Sequence, residues 1–214
     1  MIDRYPGARP FADTPDDQRL FFGRSQEIDT LFHRIGATRL LVLFGKSGLG
    51  KTSLLQAGVF PRLRERAMLP LPMRLNQKGS PLETITAFAQ TVCQSAGIDY
   101  IPGEGESLWE FFKTAMFWRD DTLLTPVLVF DQFEEIFTLK QAVERTALAH
   151  ELGDLFRGGV PQTMREKRQT GSASPSLGEQ PPEVKVVLSL REDYLGALQE
   201  LTVDIPGIFM TASG

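Results

Sequence analysis

The sequence predicts an α/β protein built on a parallel β-sheet, and three observations support this prediction. Apolar runs recur at 40–44, 126–130 and 184–190, and such runs are typical of strands that are buried on both faces of a parallel sheet. Segments with apolar residues at helical spacing separate these runs. Polar residues follow the runs directly, and in open α/β sheets a ligand binds at the carboxyl ends of the strands.

Composition is that of an ordinary globular protein. The 214 residues favour one domain, and 42% of them are hydrophobic. The net charge of −4 argues against a nucleic-acid partner, and the basic cluster at 165–168 is typical of a solvated surface. No apolar stretch reaches the roughly 20 residues that cross a bilayer, and the first residues lack the apolar core of a signal peptide. With Cys93 as the single cysteine, these features favour a cytoplasmic protein without a membrane partner.

The first apolar run leads into a turn that matches a phosphate-binding loop. Gly45, Gly50, Lys51 and Thr52 fit the pattern G-x-x-x-x-G-K-[ST]. Glycines let such a loop turn its N–H groups toward an anion, and the following helix adds the positive end of its dipole. Lys51 is expected to reach the β- and γ-phosphates, and the Thr52 hydroxyl to bind Mg²⁺. The alternative is an ordinary glycine-rich turn. The residues predicted to bind phosphates are Gly45, Lys46, Ser47, Gly48, Leu49, Gly50, Lys51, Thr52 and Ser53.

Two features precede this loop. Residues 1–20 are rich in Pro, Asp and Arg without clear periodicity, which predicts an extended arm ahead of a core at 21–214. The stretch 21–24 (Phe-Phe-Gly-Arg) then precedes a helix that Ser25 would cap. Two interpretations stay open. The stretch holds the base and ribose of a nucleotide, or both phenylalanines pack in the core while Arg24 forms a surface ion pair.

The rest of the chain alternates between predicted strands and helices. Predicted strands lie at 39–44, 71–75, 126–131 and 184–190, the second being weak. Predicted helices run from the phosphate loop to 65, from 82 to 96, from 107 through the aromatic set that ends at Phe117, from 141 to 156 and from 192 to 201. Residues 158–183 are rich in Gly, Pro, Ser and Gln, which predicts a disordered insertion within the core domain.

Candidate chemistry follows the strand at 126–131. Asp131 is expected to bind Mg²⁺ beside Thr52, and the alternative is an acid that caps the next turn. Hydrolysis needs a group that orients and deprotonates water, for which Glu135 and then Glu134 are the candidates. Gln132 could orient water but is a poor proton acceptor.

A second strand end supplies a candidate cation. Arg191 would sense or stabilise the γ-phosphate from a neighbouring strand, and the alternative is a surface pairing with Glu192 or Asp193. Selectivity for guanine usually comes from an N-K-x-D stretch, and the chain has none. Adenine is therefore favoured, and ATP or ADP is the expected ligand.

Several segments together resemble one family. They are 5–11, Phe22-Gly23-Arg24 with Glu27, the loop 45–52 with 53–58, 131–138 and 190–196. In these segments the chain resembles the STAND-class P-loop ATPases, most closely their bacterial novel STAND branch. The resemblance implies a P-loop NTPase three-layer sandwich with a parallel sheet of strand order 5-1-4-3-2. It also implies that Gly23 and Arg24 lie near the adenine or ribose and that Arg191 is a sensor. Asp131 aligns with the Mg²⁺-handling acid, and Glu135 with the catalytic acid.

The resemblance further implies a signalling switch that is closed with ADP and able to assemble with ATP, fused to effector domains and C-terminal repeats. Family members continue into a fifth strand, a winged-helix region and a sensor domain, whereas this sequence ends at Gly214. We therefore expect a fragment or a truncated gene product, with a fifth strand that is short or absent.

Three functions remain open at this point. The first is an Mg²⁺-dependent ATP-binding switch core that hydrolyses ATP slowly and engages other domains or proteins through nucleotide-dependent assembly. The second is a non-catalytic interaction module that nucleotide stabilises. The third is a small-molecule phosphotransferase, which the lack of an arginine-rich lid disfavours.

Overall fold

The structure is a computed structural model, and it describes residues 9–75, 79–157, 159–171, 178–205, 207–208 and 212–213. The helices are α1 (Pro15–Leu20), α2 (Ser25–Ala37), α3 (Lys51–Ser53), α4 (Phe60–Glu65), α5 (Pro81–Ala96), α6 (Leu108–Thr114), α7 (Glu135–Leu139), α8 (Ala142–Phe156) and α9 (Gln162–Gln169). The strands are β1 (Leu40–Gly45), β2 (Met68–Met73), β3 (Asp99–Ile101), β4 (Met116–Arg119), β5 (Thr122–Leu123), β6 (Thr125–Asp131), β7 (Lys185–Arg191) and β8 (Ala212–Ser213). A π-helical segment (Leu54–Val59) joins α3 to α4.

Five strands form one parallel sheet in the order β2-β6-β7-β1-β8. Numbered along the chain within this sheet, the order is 2-3-4-1-5, which is the predicted order 5-1-4-3-2 viewed from the other edge. The prediction of a parallel α/β sheet with this order is therefore confirmed. Within the described residues, β8 pairs with β1 at Val42 and Leu43, so a fifth strand is present.

Helices cover both faces of the sheet. Side chains alternate between the faces along each strand, so a strand that is apolar throughout presents apolar side chains to both helical layers. On β1, Leu40 and Val42 join one apolar cluster, whereas Leu41 and Leu43 join the other. The larger cluster receives residues of α5, α6 and α8, and the smaller one receives residues of α2, the π-helical segment and α4. This arrangement is a three-layer sandwich with the sheet in the middle.

Strand register places the functional ends of three strands side by side. Gly45 at the end of β1 pairs with Arg191 on β7, and Asp131 at the end of β6 pairs with Ser189 on β7. Parallel strands end at the same edge of a sheet, so the phosphate loop and the acids after β6 share that edge.

A second, antiparallel sheet of β3, β4 and β5 follows α5 and was not predicted. The expectation that the aromatic helix reaches Phe117 is wrong, because α6 ends at Thr114 and Ala115 is extended. Phe117 instead lies on β4, where its ring stacks on Tyr100 of β3 at a centroid distance of 5.2 Å. The aromatic residues do belong to the core, as expected, since Trp109, Phe111 and Phe117 are buried.

Three other segments differ from their predictions. The expected extended arm contains α1, which begins after Thr14 because the Thr14 side chain accepts a hydrogen bond from the Asp17 N–H. The expected disordered insertion contains α9, whose Met164 is buried in the larger cluster. The expected helix at 192–201 is two 3₁₀ turns, Glu192–Tyr194 and Ala197–Leu201.

Parts of two predictions fall outside the described residues, namely positions 1–8 of the arm and positions 158 and 172–177 of the insertion. In the part of the chain that is described, no helix is both long and apolar enough to cross a membrane.

Candidate functional site

The phosphate loop lies between the end of β1 and the start of α3. Gly48 and Gly50 have φ angles of +80° and +76°, a left-handed backbone conformation that residues with a Cβ rarely adopt. The Lys51 ammonium folds back over the loop and donates to the Gly45 carbonyl at 2.8 Å and the Lys46 carbonyl at 3.1 Å. The Lys51 ammonium therefore lies next to the first two residues of the loop.

Thr52 and Asp131 meet at the centre of the site. The Thr52 hydroxyl donates to the Asp131 carboxylate, with its oxygen 2.9 Å from Oδ2 and 3.2 Å from Oδ1. These residues are 79 positions apart in the sequence, and the pairing of β6 with β7 and of β7 with β1 brings them together. Asp131 is only 7% exposed, and the Gln132 N–H also donates to its Oδ1 at 3.1 Å.

The two candidate bases occupy different positions. Glu134 lines the cleft beside the phosphate loop, and its Oε2 accepts a hydrogen bond from the Arg191 N–H at 3.3 Å. Glu135 begins α7 and is not among the residues that line this cleft. Its Oε1 lies 3.7 Å from Arg74 Nη1, and its Oε2 is buried without a hydrogen-bond partner among the described residues.

Arg191 forms the surface pair that was one of its two interpretations, and its role as a sensor of the γ-phosphate stays a prediction. It lines the cleft, and its guanidinium pairs with Asp193. The hydrogen bond from Arg191 to Asp193, with the charge of Asp193, raises the pKa of Arg191. Ser189 lies two residues earlier on β7 and also lines the cleft, although it is fully buried. Its hydroxyl has no hydrogen-bond partner within the described chain.

The N-terminal arm packs against the phosphate-loop helix. The Phe11 N–H donates to the hydroxyl of Ser53 at 3.0 Å, so this predicted phosphate-loop residue contacts the arm. Arg9 and the Ala12 N–H both donate to Asp17 Oδ2, at 2.8 and 2.7 Å. The Arg9 hydrogen bond, followed by that of the Ala12 N–H, lowers the pKa of Asp17. These contacts place Arg9 and Phe11 on the wall of the cleft.

The stretch 21–24 matches neither of its two interpretations completely. Phe22 is 76% exposed, whereas the ring of Phe21 packs against Phe11 at 5.4 Å. Arg24 forms an ion pair with Glu27 and also donates to the Leu49 carbonyl of the phosphate loop at 2.8 Å.

Arg24 and Gly23 differ in their position relative to a second cleft. A second cleft of about 350 Å³ lies on this side of the loop, and its lining includes Arg24 but not Gly23.

The main cleft has a volume of about 690 Å³ and is bounded by the arm, the phosphate loop and the ends of β6 and β7. Its wall carries the basic side chains of Lys51, Arg74 and Arg191 together with the Thr52–Asp131 pair. Mg²⁺ prefers hydroxyl and carboxylate oxygens and usually keeps water or phosphate in its remaining positions. No cluster of three or more His, Cys, Asp or Glu side chains occurs within the described ranges, so the protein would supply only part of such a shell. The donor set fits a nucleotide with Mg²⁺.

Arg74 and Ser189 are cleft residues that the sequence interpretation missed. Arg74 follows β2 and contacts residues that are 57 to 61 positions away, so no local pattern identifies it. Ser189 sits in an apolar run, and its polarity within a buried strand was the one available signal.

Comparison with known proteins agrees with this geometry. A family profile described as Novel STAND NTPase 1 matches residues 5–206. The fold is similar to that of the Walker-type ATPase PABY2304 of Pyrococcus abyssi, with a TM-score of 0.54, 17% identity, and coverage of 91% of this chain and 51% of that chain. It is also similar to the Aeropyrum pernix ORC2 protein in ADPNP-ADP complexes, with a TM-score of 0.51, 14% identity, and coverage of 98% and 49%. No curated protein matches.

This chain spans about half the length of these two solved proteins, and at such low identities the likeness concerns the fold alone. The family profile, in contrast, covers nearly the whole chain, including the phosphate loop and Asp131. The chain therefore belongs to the Novel STAND NTPase 1 family and has the fold of the P-loop ATPases.

Proposed function

We propose that this chain is the nucleotide-binding core of a STAND-type switch that binds ATP with Mg²⁺ and hydrolyses it slowly. The observation that carries the proposal is the Thr52 hydroxyl within 2.9 Å of Asp131, directly beside a phosphate loop. That pairing gives one hydroxyl and one carboxylate to a cation at the place where a polyphosphate would end. The single cysteine, Cys93, is buried, which is compatible with the proposed cytoplasmic location.

In the proposed binding mode, the loop N–H groups and Lys51 hold the phosphates. The Lys51 ammonium already lies over the loop, so it needs only to exchange its carbonyl contacts for phosphate oxygens. Thr52 and Asp131 would hold Mg²⁺, which when bound neutralises phosphate charge. Arg191 lines the same cleft and would stabilise charge on the terminal phosphate.

Two acids are candidates for activating water. Glu135 has a buried carboxylate oxygen without a hydrogen-bond partner among the described residues, so no other donor competes with a water molecule for that oxygen. Glu134 lies on the cleft wall but shares its carboxylate with the Arg191 N–H. We favour Glu135 as the base and retain Glu134 as the alternative, because catalytic contacts often tighten only when substrate is bound.

The base and ribose would occupy the second cleft beside Arg24. Its lining combines apolar side chains, such as Leu31 and Leu54, with the polar groups of Arg24 and Glu27. The proposed selectivity for adenine rests only on the missing guanine motif. Gly23 does not line this cleft and would act only by shaping the turn before α2, with its φ of +86°.

Calorimetry with ATP and Mg²⁺ tests the proposal. Lys51→Ala removes a charged hydrogen-bond donor, which is expected to weaken ATP binding by about tenfold to hundredfold. Arg66→Ala is the matched control, because Arg66 is exposed and does not line either cleft. Equal ATP affinity in wild type and Lys51→Ala would contradict the proposal.

The acid variants test hydrolysis separately from binding. Glu135→Gln should retain ATP affinity but lose most phosphate release, whereas Glu134→Gln should lose less. The reverse ranking would assign the base to Glu134, and normal turnover in both would remove both acids from the mechanism.

A second candidate function is a non-catalytic module that nucleotide stabilises. The observation in its favour is that Glu135 stands away from the cleft lining and contacts Arg74. Retained nucleotide without measurable phosphate release from the wild-type chain would favour this module. Assembly with other domains and a role in signalling are proposals that rest on family membership.

A further inference from the structure

Arg74 is the first residue after β2, at the edge of the sheet, and it reaches across to the loop after β6. Its guanidinium contacts three side chains there. Nη2 lies 3.4 Å from Asp131 Oδ2, Nη1 lies 3.7 Å from Glu135 Oε1, and Nη1 also donates to the Gln132 carboxamide oxygen. One side chain therefore links the proposed metal ligand to the proposed base.

The planar shape of guanidinium suits this bridge. Its N–H groups point in fixed directions, so one fork can serve acceptors on two sides, whereas an ammonium is a point charge on a flexible stem. The segment that Arg74 holds is unusual, because Gln132 has a φ of +58°, which non-glycine residues seldom adopt. The contacts of Arg74 on both sides of Gln132 connect Asp131 to Glu135.

Arg74 also adds positive charge next to a carboxylate that is proposed to bind a cation. Asp131 Oδ2 receives both the Thr52 hydroxyl and Arg74 Nη2. A guanidinium at this distance lowers the attraction of that carboxylate for a second cation, although the 42% exposure of the Arg74 side chain screens the effect.

We propose that Arg74 is a positioning residue that fixes Glu135 relative to Asp131 and weakens the hold of Asp131 on the metal ion. The inference rests on the proposed function, because it assigns a role in metal binding and water activation at the same site. The role has two parts, a geometric one through the fork and an electrostatic one through the charge. The two parts predict effects of opposite sign when Arg74 is removed.

Arg74→Ala removes both parts. Metal affinity is expected to rise by about threefold to tenfold, because Asp131 loses a competing cation. Turnover is expected to fall by about tenfold or more, because Glu135 loses the group that orients it. A merely structural role would weaken metal binding and turnover together.

Arg74→Lys separates the parts, because lysine keeps the charge and loses the fork. Its metal affinity is expected to stay within about twofold of wild type, with turnover reduced almost as far as in Arg74→Ala. Arg66→Ala is the matched control, since it removes an exposed arginine just ahead of β2 without touching the cleft.

The experiment measures Mn²⁺ affinity by electron paramagnetic resonance in the presence of ADP, which needs no hydrolysis, and phosphate release from Mg²⁺-ATP in parallel. Thermal melting confirms that each variant is folded, and if Arg74→Ala fails to fold, Arg74→Lys carries the test of the fork. Tighter Mn²⁺ binding with slower turnover in Arg74→Ala supports the inference. Unchanged or weaker Mn²⁺ binding there, or full turnover in Arg74→Lys, overturns it. If the wild-type chain itself shows no metal-dependent ADP binding, the proposed function fails instead.

Discussion

Two buried carboxylates, Glu110 on α6 and Asp131 at the end of β6, are each 7% exposed and each lie near a basic side chain. They differ in what surrounds them. The Glu110 carboxylate accepts hydrogen bonds from the Glu106 N–H, the Ser107 hydroxyl and the Lys167 ammonium, at distances from 3.0 to 3.2 Å. Lys167 also pairs with Glu106 at 2.8 Å. This network attaches α9 to α6.

The network around Asp131 is less complete. Asp131 is engaged by Thr52 and Arg74, but beside it Glu135 Oε2 and the Ser189 hydroxyl are buried without hydrogen-bond partners among the described residues. Buried polar groups are normally paired, and an unpaired one costs free energy.

An unpaired atom alone does not mark a site, since Trp109 Nε1 is also unpaired in the core. What distinguishes the Asp131 region is that Asp131 and Ser189, whose hydroxyl is unpaired among the described residues, line a polar cleft. The Glu110 network therefore connects two helices through paired groups, whereas the Asp131 network is the one that we propose binds a ligand.

The largest expected difference between the two networks is in turnover. Asp131→Asn should reduce phosphate release by about a hundredfold or more, because it removes the charge of the proposed metal ligand. Glu110→Gln is the matched carboxylate-to-amide change in the other network and should leave turnover unchanged. A phosphate-release assay on both folded variants tests this prediction. Equal losses of turnover would show that the two carboxylates do not differ in function.

Stability should show the opposite ranking. Glu110→Gln weakens several charge-assisted hydrogen bonds in a buried position, so the free energy of unfolding should fall by about 2 kcal/mol. Asp131→Asn should cost less than about 1 kcal/mol, since the cation beside it is partly exposed. Urea denaturation of both variants measures the free energy of unfolding. A larger decrease for Asp131→Asn than for Glu110→Gln would contradict the assignment of a stabilising role to the Glu110 network.

Two serines repeat the contrast on a smaller scale. Ser107 caps α6 by accepting from the Glu110 N–H, so Ser107→Ala should cost about 1 kcal/mol of stability with no change in turnover. Ser189→Ala removes an unpaired buried hydroxyl and should leave stability unchanged or slightly higher. A Ser189 hydroxyl that contacts the bound ligand would also contribute to turnover. In that case Ser189→Ala should lower the rate measured in the same phosphate-release assay.

The smallest expected effect is on the pH dependence of stability. Burial alone would raise the pKa of Glu110, but the hydrogen bonds from the Glu106 N–H, Lys167 and Ser107 outweigh it, and the pKa lies below its ordinary value of 4.5. The stabilisation is therefore present above pH 4.5 and is lost as the pH falls through the lowered pKa. The stability difference between wild type and Glu110→Gln should shrink in this acid range. A constant difference down to full protonation would show that the ionised carboxylate contributes nothing.

Sequence reasoning predicted what local patterns encode. The loop from Gly45 to Thr52 and the buried strand that ends at Asp131 were predicted correctly, because each is a continuous stretch with its own signature. The strand order came from the family resemblance and is confirmed by the sheet pairing. The roles of the predicted site residues stay predictions.

Contacts between distant segments could not be predicted in this way. Arg74 meets its partners only because β2 pairs with β6, and Arg9 meets Asp17 only after α1 forms. The strands β3 to β5 are two to four residues long, too short to show an alternation. The helix α9 lies in a polar segment, where Met164 and the Lys167 pairs provide its packing.

Nucleotide affinity with and without Mg²⁺ tests the central claim, that Thr52 and Asp131 share a metal ion beside the phosphate loop. In wild type, calorimetry should show ATP binding strengthened about tenfold or more by Mg²⁺. In Thr52→Val, which removes the hydroxyl and keeps the side-chain shape, Mg²⁺ should have little effect while metal-free binding persists. A wild-type chain that binds ATP equally with and without Mg²⁺, or does not bind it while folded, would contradict the account.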